Sequence, residues 1–560
     1  MLLSACPNVP LRPMSDPILS IAPASLEQEL HRINTTLVPN HQFLEALTEL
    51  MLLAKEHVTD AQLWMLIGHV YTRMAHWTDA VAALETAIAL NPELHAANRL
   101  RALALFSMGQ QQQACKLIDR VVKKSSESGD WMLRAYIYAH ASRDPMKALQ
   151  VARDWGKRFA DPLTRNAKPL KVLDRNPRKK LRVGYVTADF REHSVAFFMQ
   201  PVLAHHNPDD VEVHVYSNGP ADHITQRMRT LVQYWHEIQG ISDEAVCAKI
   251  RQDGIDVLVD LSGFTHGHRL GVFARRAAPV QVTWLGYMQT LGMKAMDYRL
   301  VDAGIAPPSH APYYSEDLFY LHCMASYAPP AYAPLCEEPP MLRNGYPTLV
   351  SLNNSGKITD DMLRVWAQIL HARDDARLII MVKEQDADAA QAHMQPRVEV
   401  AGMPLERVSV LHQQPLDQFM EVGHIADIAL DTSPISGGTT TLHSLWMGMP
   451  IVTMDAVRGV DSSTARTLAG LGWQHWVTKS DQEYVERALA FMNNPGGLKK
   501  LRTETRDRMR CSALMDYASR TDELEAAFRL MWLNYLRGDR KTLAIAADVD
   551  QVQAEVGTKV

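Results

Sequence analysis

Five small residues in a row, Gly437, Gly438, Thr439, Thr440 and Thr441, follow an apolar run that ends at Asp431. An apolar-periodic stretch comes next, then Gly-Met-Pro at 448–450 and a second apolar run. That order reads as strand, glycine turn, helix and strand, a βαβ unit of a parallel sheet. Free amides and the dipole at a helix N-terminus attract an anion, and glycine lets the backbone approach it. Three threonine hydroxyls add donors at the same point. The chemistry on offer is phosphate binding, most naturally of a nucleotide; the alternative is that Thr439 only caps a core helix. Neither a P-loop nor a Gly-x-Gly-x-x-Gly fingerprint occurs in the segment, so the phosphate is not held as in an ATPase or a dehydrogenase.

A second group lies upstream. The apolar strand near 348–352 runs into Asn353, Asn354, Ser355, Gly356 and Lys357, ahead of a helix expected at 360–370. An ammonium at a strand end reaches into a cleft and stabilises the charge that develops on a departing pyrophosphate. Two histidines follow other expected strands, His193 in DFREHS and His236 in YWHEI. Histidine at a strand's carboxyl edge suits proton transfer near neutral pH. His266 and His268 stand one residue apart with no third ligand nearby, and Asp386-Ala387-Asp388 falls in a polar helical stretch away from strand ends. No metal site is expected, and an Asp-x-Asp metal-dependent transferase is disfavoured. HExxH, GxSxG and the kinase motifs are missing. The glycine-punctuated loop at 284–298 offers room for a sugar or an acceptor.

These groups need elements to hold them. The chain has 560 residues, enough for several domains, and a formal net charge of -5, which gives no pull toward nucleic acid. Six cysteines are scattered without Cys-x-x-Cys pairs, as suits a reducing cytoplasm, and no apolar run approaches the roughly 18 residues that span a bilayer. Leu3-Ser4-Ala5-Cys6 looks like a lipoprotein box but has no adequate segment before it.

The first third repeats. Ala46, Ala80, Ala114 and Ala148 recur every 34 residues, and Trp64, Ile67, Gly68, Tyr71, Ala80, Leu84, Ala87 and Pro92 follow the tetratricopeptide pattern. From 181 onward strands alternate with helices, twice over, with a proline-rich stretch between the two runs. The expected layout is an N-terminal segment without order at 1–25, a tetratricopeptide domain at 26–160 and a linker at 161–180. An α/β half at 181–330 follows, then a linker at 331–346, an α/β half with closing helices at 347–540 and a flexible tail at 541–560. Two such halves place a ligand at the C-terminal ends of their strands.

The repeats together with LRVGYVTADFREHS, DLSGFTHGHR, PVQVTWLGY and LDTSPISGGTTTLHSLWMGMPIVT resemble the O-linked N-acetylglucosamine transferases of glycosyltransferase family 41, in their compact bacterial form. The resemblance runs from about residue 40 to 535. It implies a double Rossmann-like GT-B fold, UDP-N-acetylglucosamine as donor and serine or threonine hydroxyls of proteins as acceptors. It also implies inversion at the anomeric carbon with neither metal nor cofactor, and acceptors guided by the tetratricopeptide groove. By that resemblance Lys357 contacts the diphosphate, Thr439 and Thr440 hold it at the helix start, and Asn354 stands where animal enzymes carry a glutamine. His236 is then the proposed base and His193 a second active-site histidine. Gly437, Gly438 and His443 complete the UDP-sugar group, with departures: animal enzymes have histidine and aspartate at 438 and 443, the latter on the ribose. Leu416 and Phe419 stand where those enzymes have lysine and histidine near the uracil. Other readings remain open: a protein-binding adaptor that has lost catalysis, a family member using another UDP-hexose or an asparagine acceptor, or a nucleotide-sugar epimerase.

Overall fold

The computed structural model describes residues 25–172, 174–456 and 459–538. The expected N-terminal segment before Ser25 and the tail at 541–560 lie outside the described residues.

Eight helices come first: α1 (Leu26–Arg32), α2 (Phe43–Glu56), α3 (Ala61–Arg73), α4 (Trp77–Leu90), α5 (His95–Ser107), α6 (Gln111–Lys124), α7 (Ser128–Ala141) and α8 (Pro145–Trp155). Local signals start them: Asp60 accepts the Leu63 amide to cap α3, and Asp144 precedes Pro145 in the first turn of α8. The four in-phase alanines all fall in the second helix of a pair. Ala46, Ala80 and Ala114 are fully buried and Ala148 nearly so. Small residues there let paired helices approach. A Cβ on Gly68 would stand 2.5 Å from Leu84 Cγ, so a Gly68→Ala change overpacks the α3–α4 contact, at about 1–3 kcal/mol.

Two parallel sheets follow. The first contains β1 (Leu181–Thr187), β2 (Val211–Ser217), β3 (Tyr234–Glu237), β4 (Val257–Asp260), β5 (Val280–Thr283), β6 (Tyr298–Asp302) and β7 (Asp317–Leu321), in the order β3-β2-β1-β4-β5-β6-β7. The second contains β8 (Thr348–Ser351), β9 (Arg377–Met381), β10 (Val408–Leu411), β11 (Ile428–Leu430), β12 (Ile451–Met454) and β13 (Val477–Thr478), in the order β10-β9-β8-β11-β12-β13. Both are doubly wound sheets whose strand order reverses once, between β1 and β4 and between β8 and β11. Ligands of such sheets bind beyond the strand C-termini at that reversal. The central strands β4, β5 and β8 are rich in β-branched residues and have no exposed residue, as parallel strands covered by helices must be.

The last helix, Tyr517–Arg537, turns back to the first half. Leu524, Phe528, Met531 and Trp532 share a core with Val183, Val213 and Val259 of the first sheet, so the closing helix belongs by its packing to the half it does not follow in sequence.

The helical array docks on both halves. Gly156, just after α8, packs so closely on the 284–297 segment that a Cβ would lie 2.0 Å from Gly292 O. Leu291, Met293 and Ala295 are fully buried there. Gly292 and its neighbours thus serve close packing against the array, whereas Gln289, earlier in the same loop, is half-buried and donates to Asp461 Oδ1 of the second half at 3.3 Å. At the second half, Gln111 Nε2 donates to Gly356 O at 3.2 Å, which seats the α5–α6 turn under the loop carrying Lys357. Among the described residues no helix is long and apolar enough to cross a membrane.

Candidate functional site

At the reversal of the second sheet, β11 ends and Asp431 follows, fully buried. Its Oδ1 accepts the Gly437 amide at 2.7 Å and Asn353 Nδ2 at 3.1 Å, and its Oδ2 accepts Thr453 Oγ1 at 2.7 Å. One carboxylate therefore ties the end of β8, the glycine turn and β12 together. Thr440 Oγ1 donates to Asn353 Oδ1 at 3.3 Å, and Thr464 Oγ1 to Gly437 O at 3.2 Å. Gly437 has no room for a side chain: a Cβ would stand 2.5 Å from Thr441 Oγ1 and 2.9 Å from Thr440 Oγ1.

The helix Thr439–Trp446 starts from this brace. No side chain caps it; the preceding Gly438 is exposed, with open space where a Cβ would lie. Its first-turn amides point out of the sheet edge as an anion site should. Lys357 lies across the reversal. Its Nζ donates to Ser436 O at 2.7 Å, directly beside the turn. Burial lowers its pKa, and the carboxylates of Asp431 and Asp461 act against that. An ammonium with one bonded hydrogen retains two more to donate. Asn354 is exposed on the same loop, its Oδ1 accepting the Gly356 amide at 3.1 Å. Lys357, Asn354, Gly437, Gly438, Thr439 and Thr440 are thus gathered at one sheet edge.

His443 is not among the groups open to a ligand there. It is 4 % exposed; its Nδ1 pairs with Tyr327 OH at 2.7 Å, and its ring meets Phe197 edge-on at 4.9 Å. Burial brings its pKa down to about 3, so it is neutral. It belongs to an aromatic contact between the halves, since Phe197 lies on the helix Ser194–His205 of the first half. The grouping of His443 with the UDP-sugar residues is corrected accordingly: its ring is enclosed by Phe197, Tyr327 and Phe419 at the contact between the halves.

In the first half the reversal between β1 and β4 carries His193. Its Nδ1 accepts the Val195 amide at 3.3 Å and caps the helix Ser194–His205, so the hydrogen of the neutral ring sits on Nε2. Burial, Arg191 and Lys383 lower its pKa to about 4. Lys383 follows β9 of the second half, so His193 faces the cleft between the halves. Lys383 is solvent-exposed, yet its pKa is lowered by desolvation and by Arg191. Such a combination marks a side chain in a concave wall. Arg191 and Lys383 therefore make the wall around His193 basic.

His236 is placed differently from the expectation. It sits in the edge strand β3, its ring stacked on Tyr216 at 4.9 Å and its Nε2 3.3 Å from His214 Nδ1. The same Nε2 lies 3.7 Å from Asp253 Oδ2, at the C-terminus of the helix Asp243–Asp253. In register His236 pairs with Tyr216 and so lies level with Val186, one residue before the end of β1, but its ring turns onto the face covered by the helix Asp243–Asp253. A histidine one residue before a strand end points to one face of the sheet rather than off its edge. The partners of His236 are His214, Tyr216 and Asp253, all of the first half.

Sequence reading passed over Asn353, Asp431, Arg191 and Lys383. Lys383 carried the same signal as Lys357, a lysine just past an apolar run. Asp431 carried none beyond its place at a strand end, because its role depends on three donors distant in sequence.

With that geometry in place, the comparisons with known proteins are direct. The family model "Glycosyl transferase family 41" matches residues 165–326 and 348–524. The chain belongs to glycosyltransferase family 41. Over 446 residues it is 36% identical to a probable UDP-N-acetylglucosamine–peptide N-acetylglucosaminyltransferase SPINDLY of Solanum lycopersicum, a match covering 78% of this chain and 47% of that protein. A probable enzyme of the same activity, SEC of Arabidopsis thaliana, is 26% identical over 71% of this chain and 42% of its own length. The chain spans about half the length of the curated relatives it matches. A mutant O-GlcNAc transferase from Thermobaculum terrenum shares the fold over 91% of this chain and 98% of its own, with TM-score 0.84 and 31% identity.

Proposed function

We propose that the chain is an inverting glycosyltransferase that moves N-acetylglucosamine from UDP-N-acetylglucosamine to serine or threonine hydroxyls of proteins. The observation that carries the reading is the uncapped N-terminus of the helix Thr439–Trp446 beside Lys357, at the strand reversal of a family 41 fold. The names of the relatives supply the donor and the peptide acceptor.

The acceptor oxygen attacks the anomeric carbon opposite the diphosphate as its hydroxyl proton passes to solvent water, the bond from that carbon to the β-phosphate oxygen breaks, and UDP departs with the charge. Lys357 and the first-turn amides at Thr439 and Thr440 meet that charge as it develops, which suits a preorganised, largely desolvated group. The neutralisation that a metal gives other transferases is assigned here to these groups, with no cofactor. His193, neutral and with its hydrogen on Nε2, is assigned as a donor that orients sugar or acceptor. The base role read for His236 is not carried forward, because its Nε2 is engaged with His214 Nδ1 and lies 3.7 Å from Asp253 Oδ2.

The tetratricopeptide array is assigned to guide acceptors toward the cleft. Burial, with Arg73 of α3 and Arg191 nearby, lowers the pKa of His266, which sets the array beside the first half. A cytoplasmic setting is part of the proposal, and the cysteines among the described residues are free thiols.

Incubation of the full chain with labelled UDP-N-acetylglucosamine and protein acceptors from its own cells, followed by mapping of the modified side chains, tests this. Labelled serine or threonine is the expected result. Label on asparagine, free altered sugar, or UDP binding without any transfer would replace it with one of the other readings.

A further inference from the structure

The group around His236 has no part in the proposed transfer, yet its geometry is organised. His214 Nδ1, His236 Nε2 and Asp253 Oδ2 lie within 4.8 Å of one another, with 3.3 Å between the two nitrogens and 3.7 Å from His236 Nε2 to the carboxylate oxygen. A tetrahedral ion bound at about 2.0–2.1 Å spaces its ligands about 3.3–3.4 Å apart. The two nitrogens already stand at that separation, and the carboxylate oxygen lies within a few tenths of an ångström of it from His236.

The outer partners orient them. His214 Nε2 donates to Glu212 Oε1 at 3.0 Å, which leaves the Nδ1 lone pair facing His236. A carboxylate on the far nitrogen is the usual support of a metal-ligating histidine. Tyr216 OH donates to Asp253 Oδ2 at 2.7 Å and fixes that carboxylate. The rings of Tyr234 and Tyr216 stack on His214 and His236, at 4.3 Å and 4.9 Å, and hold both imidazoles flat. The ligands come from adjacent strands β2 and β3 and from a helix C-terminus, where the dipole favours a cation. His214 is buried, whereas His236 and Asp253 are half-buried, so a fourth position opens to water.

We propose that His214, His236 and Asp253 form a binding site for a divalent transition metal, Zn2+ by ligand type, that ties the edge strand β3 to the helix Asp243–Asp253. Two imidazoles and a carboxylate suit that ion class, whereas Ca2+ and Mg2+ take oxygen ligands. Lys249, which pairs with Asp253 Oδ1, is 43 % exposed and swings to solvent as the ion takes the carboxylate. Arg182 remains on Glu212, outside the ligand set. The expectation of no metal site came from spacing along the chain, and these ligands are far apart in sequence.

Titration of the chelator-stripped full chain with Co2+, read by visible absorption, is the test. The expected result is one Co2+ per chain with the intense d–d bands of a tetrahedral site, displaced by Zn2+ and lost in both His214→Gln and Asp253→Asn. Zn2+ should also raise the melting temperature of the wild-type chain by several degrees but not that of the variants. A weak octahedral spectrum in the wild-type chain overturns the proposal without any variant. Wild-type bands in either folded variant overturn it too, since the ion then sits elsewhere. UDP binding is independent of this outcome, so the transferase reading stands or falls separately.

Discussion

The two α/β halves use one device and get opposite results from it. In each, an aspartate at the end of the fourth strand in the sheet's winding order accepts a threonine hydroxyl from the fifth: Asp260 from Thr283 at 2.9 Å, Asp431 from Thr453 at 2.7 Å. Asp260 spends its other bonds on the amides of Ser262 and Gly263, two and three residues on, and closes a tight turn. Asp431 reaches instead to the amide of Gly437, six residues on, and holds a wide turn that delivers the next helix with its N-terminus open. The loop decides the function. A short loop consumes its donors internally and leaves the first half to act through side chains such as His193 and Arg191, whereas the long loop leaves backbone donors for a ligand.

Breaking the cradle side should have the largest effect. Lys357→Ala should lower transfer by about 10²–10³-fold, the range for removing one preorganised charge-stabilising group, with the melting temperature little changed. Steady-state kinetics beside calorimetric unfolding checks both halves of that statement.

A paired change sharpens the comparison. Asp431→Ala and Asp260→Ala each strand several buried donors, at about 1–3 kcal/mol apiece, so both variants should lose stability. Only Asp431→Ala should also weaken UDP binding, measured by calorimetry at a temperature where both variants are folded. Equal loss of UDP affinity in the two would erase the distinction between the halves.

The pH dependence should be asymmetric. Burial lowers the Lys357 pKa, so its ammonium is lost at a lower pH than that of an exposed lysine. UDP affinity should be level through neutrality and decline early on the alkaline side. Lys357→Arg, which keeps its charge throughout, should abolish that decline even if its affinity is lower overall.

The smallest effect is expected in the first half. His193→Ala, which removes one hydrogen bond, should lower transfer about tenfold. His236→Ala should lower it less than His193→Ala does. The reverse order of these two in the same assay would restore His236 to the reaction.

Much of this was legible from the residues. The array was readable because a 34-residue period leaves a trace at every turn of packing: Ala80 and Ala114 are small for the same reason in successive pairs. The second-half site was readable because its parts are contiguous, a strand end with Gly356-Lys357 and a glycine turn with threonines, and parallel strands put both at one edge. His236, His443 and the 291–295 part of the loop take faces that spacing does not reveal, for a common reason. Each lies at or near a strand end or helix start, but which face it takes is set by neighbours distant in sequence: Asp253 for His236, Tyr327 and Phe197 for His443, α8 for Gly292. Spacing along the chain marks an edge; it does not say which way a side chain turns once there.

The central claim is that the 437–441 turn and Lys357 hold a diphosphate. Calorimetry of UDP against uridine, on the wild-type chain and on Lys357→Met, tests it most directly. UDP should bind at least about tenfold more tightly than uridine to the wild-type chain, as the phosphate contacts require, and most of that margin should vanish in Lys357→Met. Equal affinity for UDP and uridine in the wild-type chain, or an unchanged margin in the variant, would contradict it.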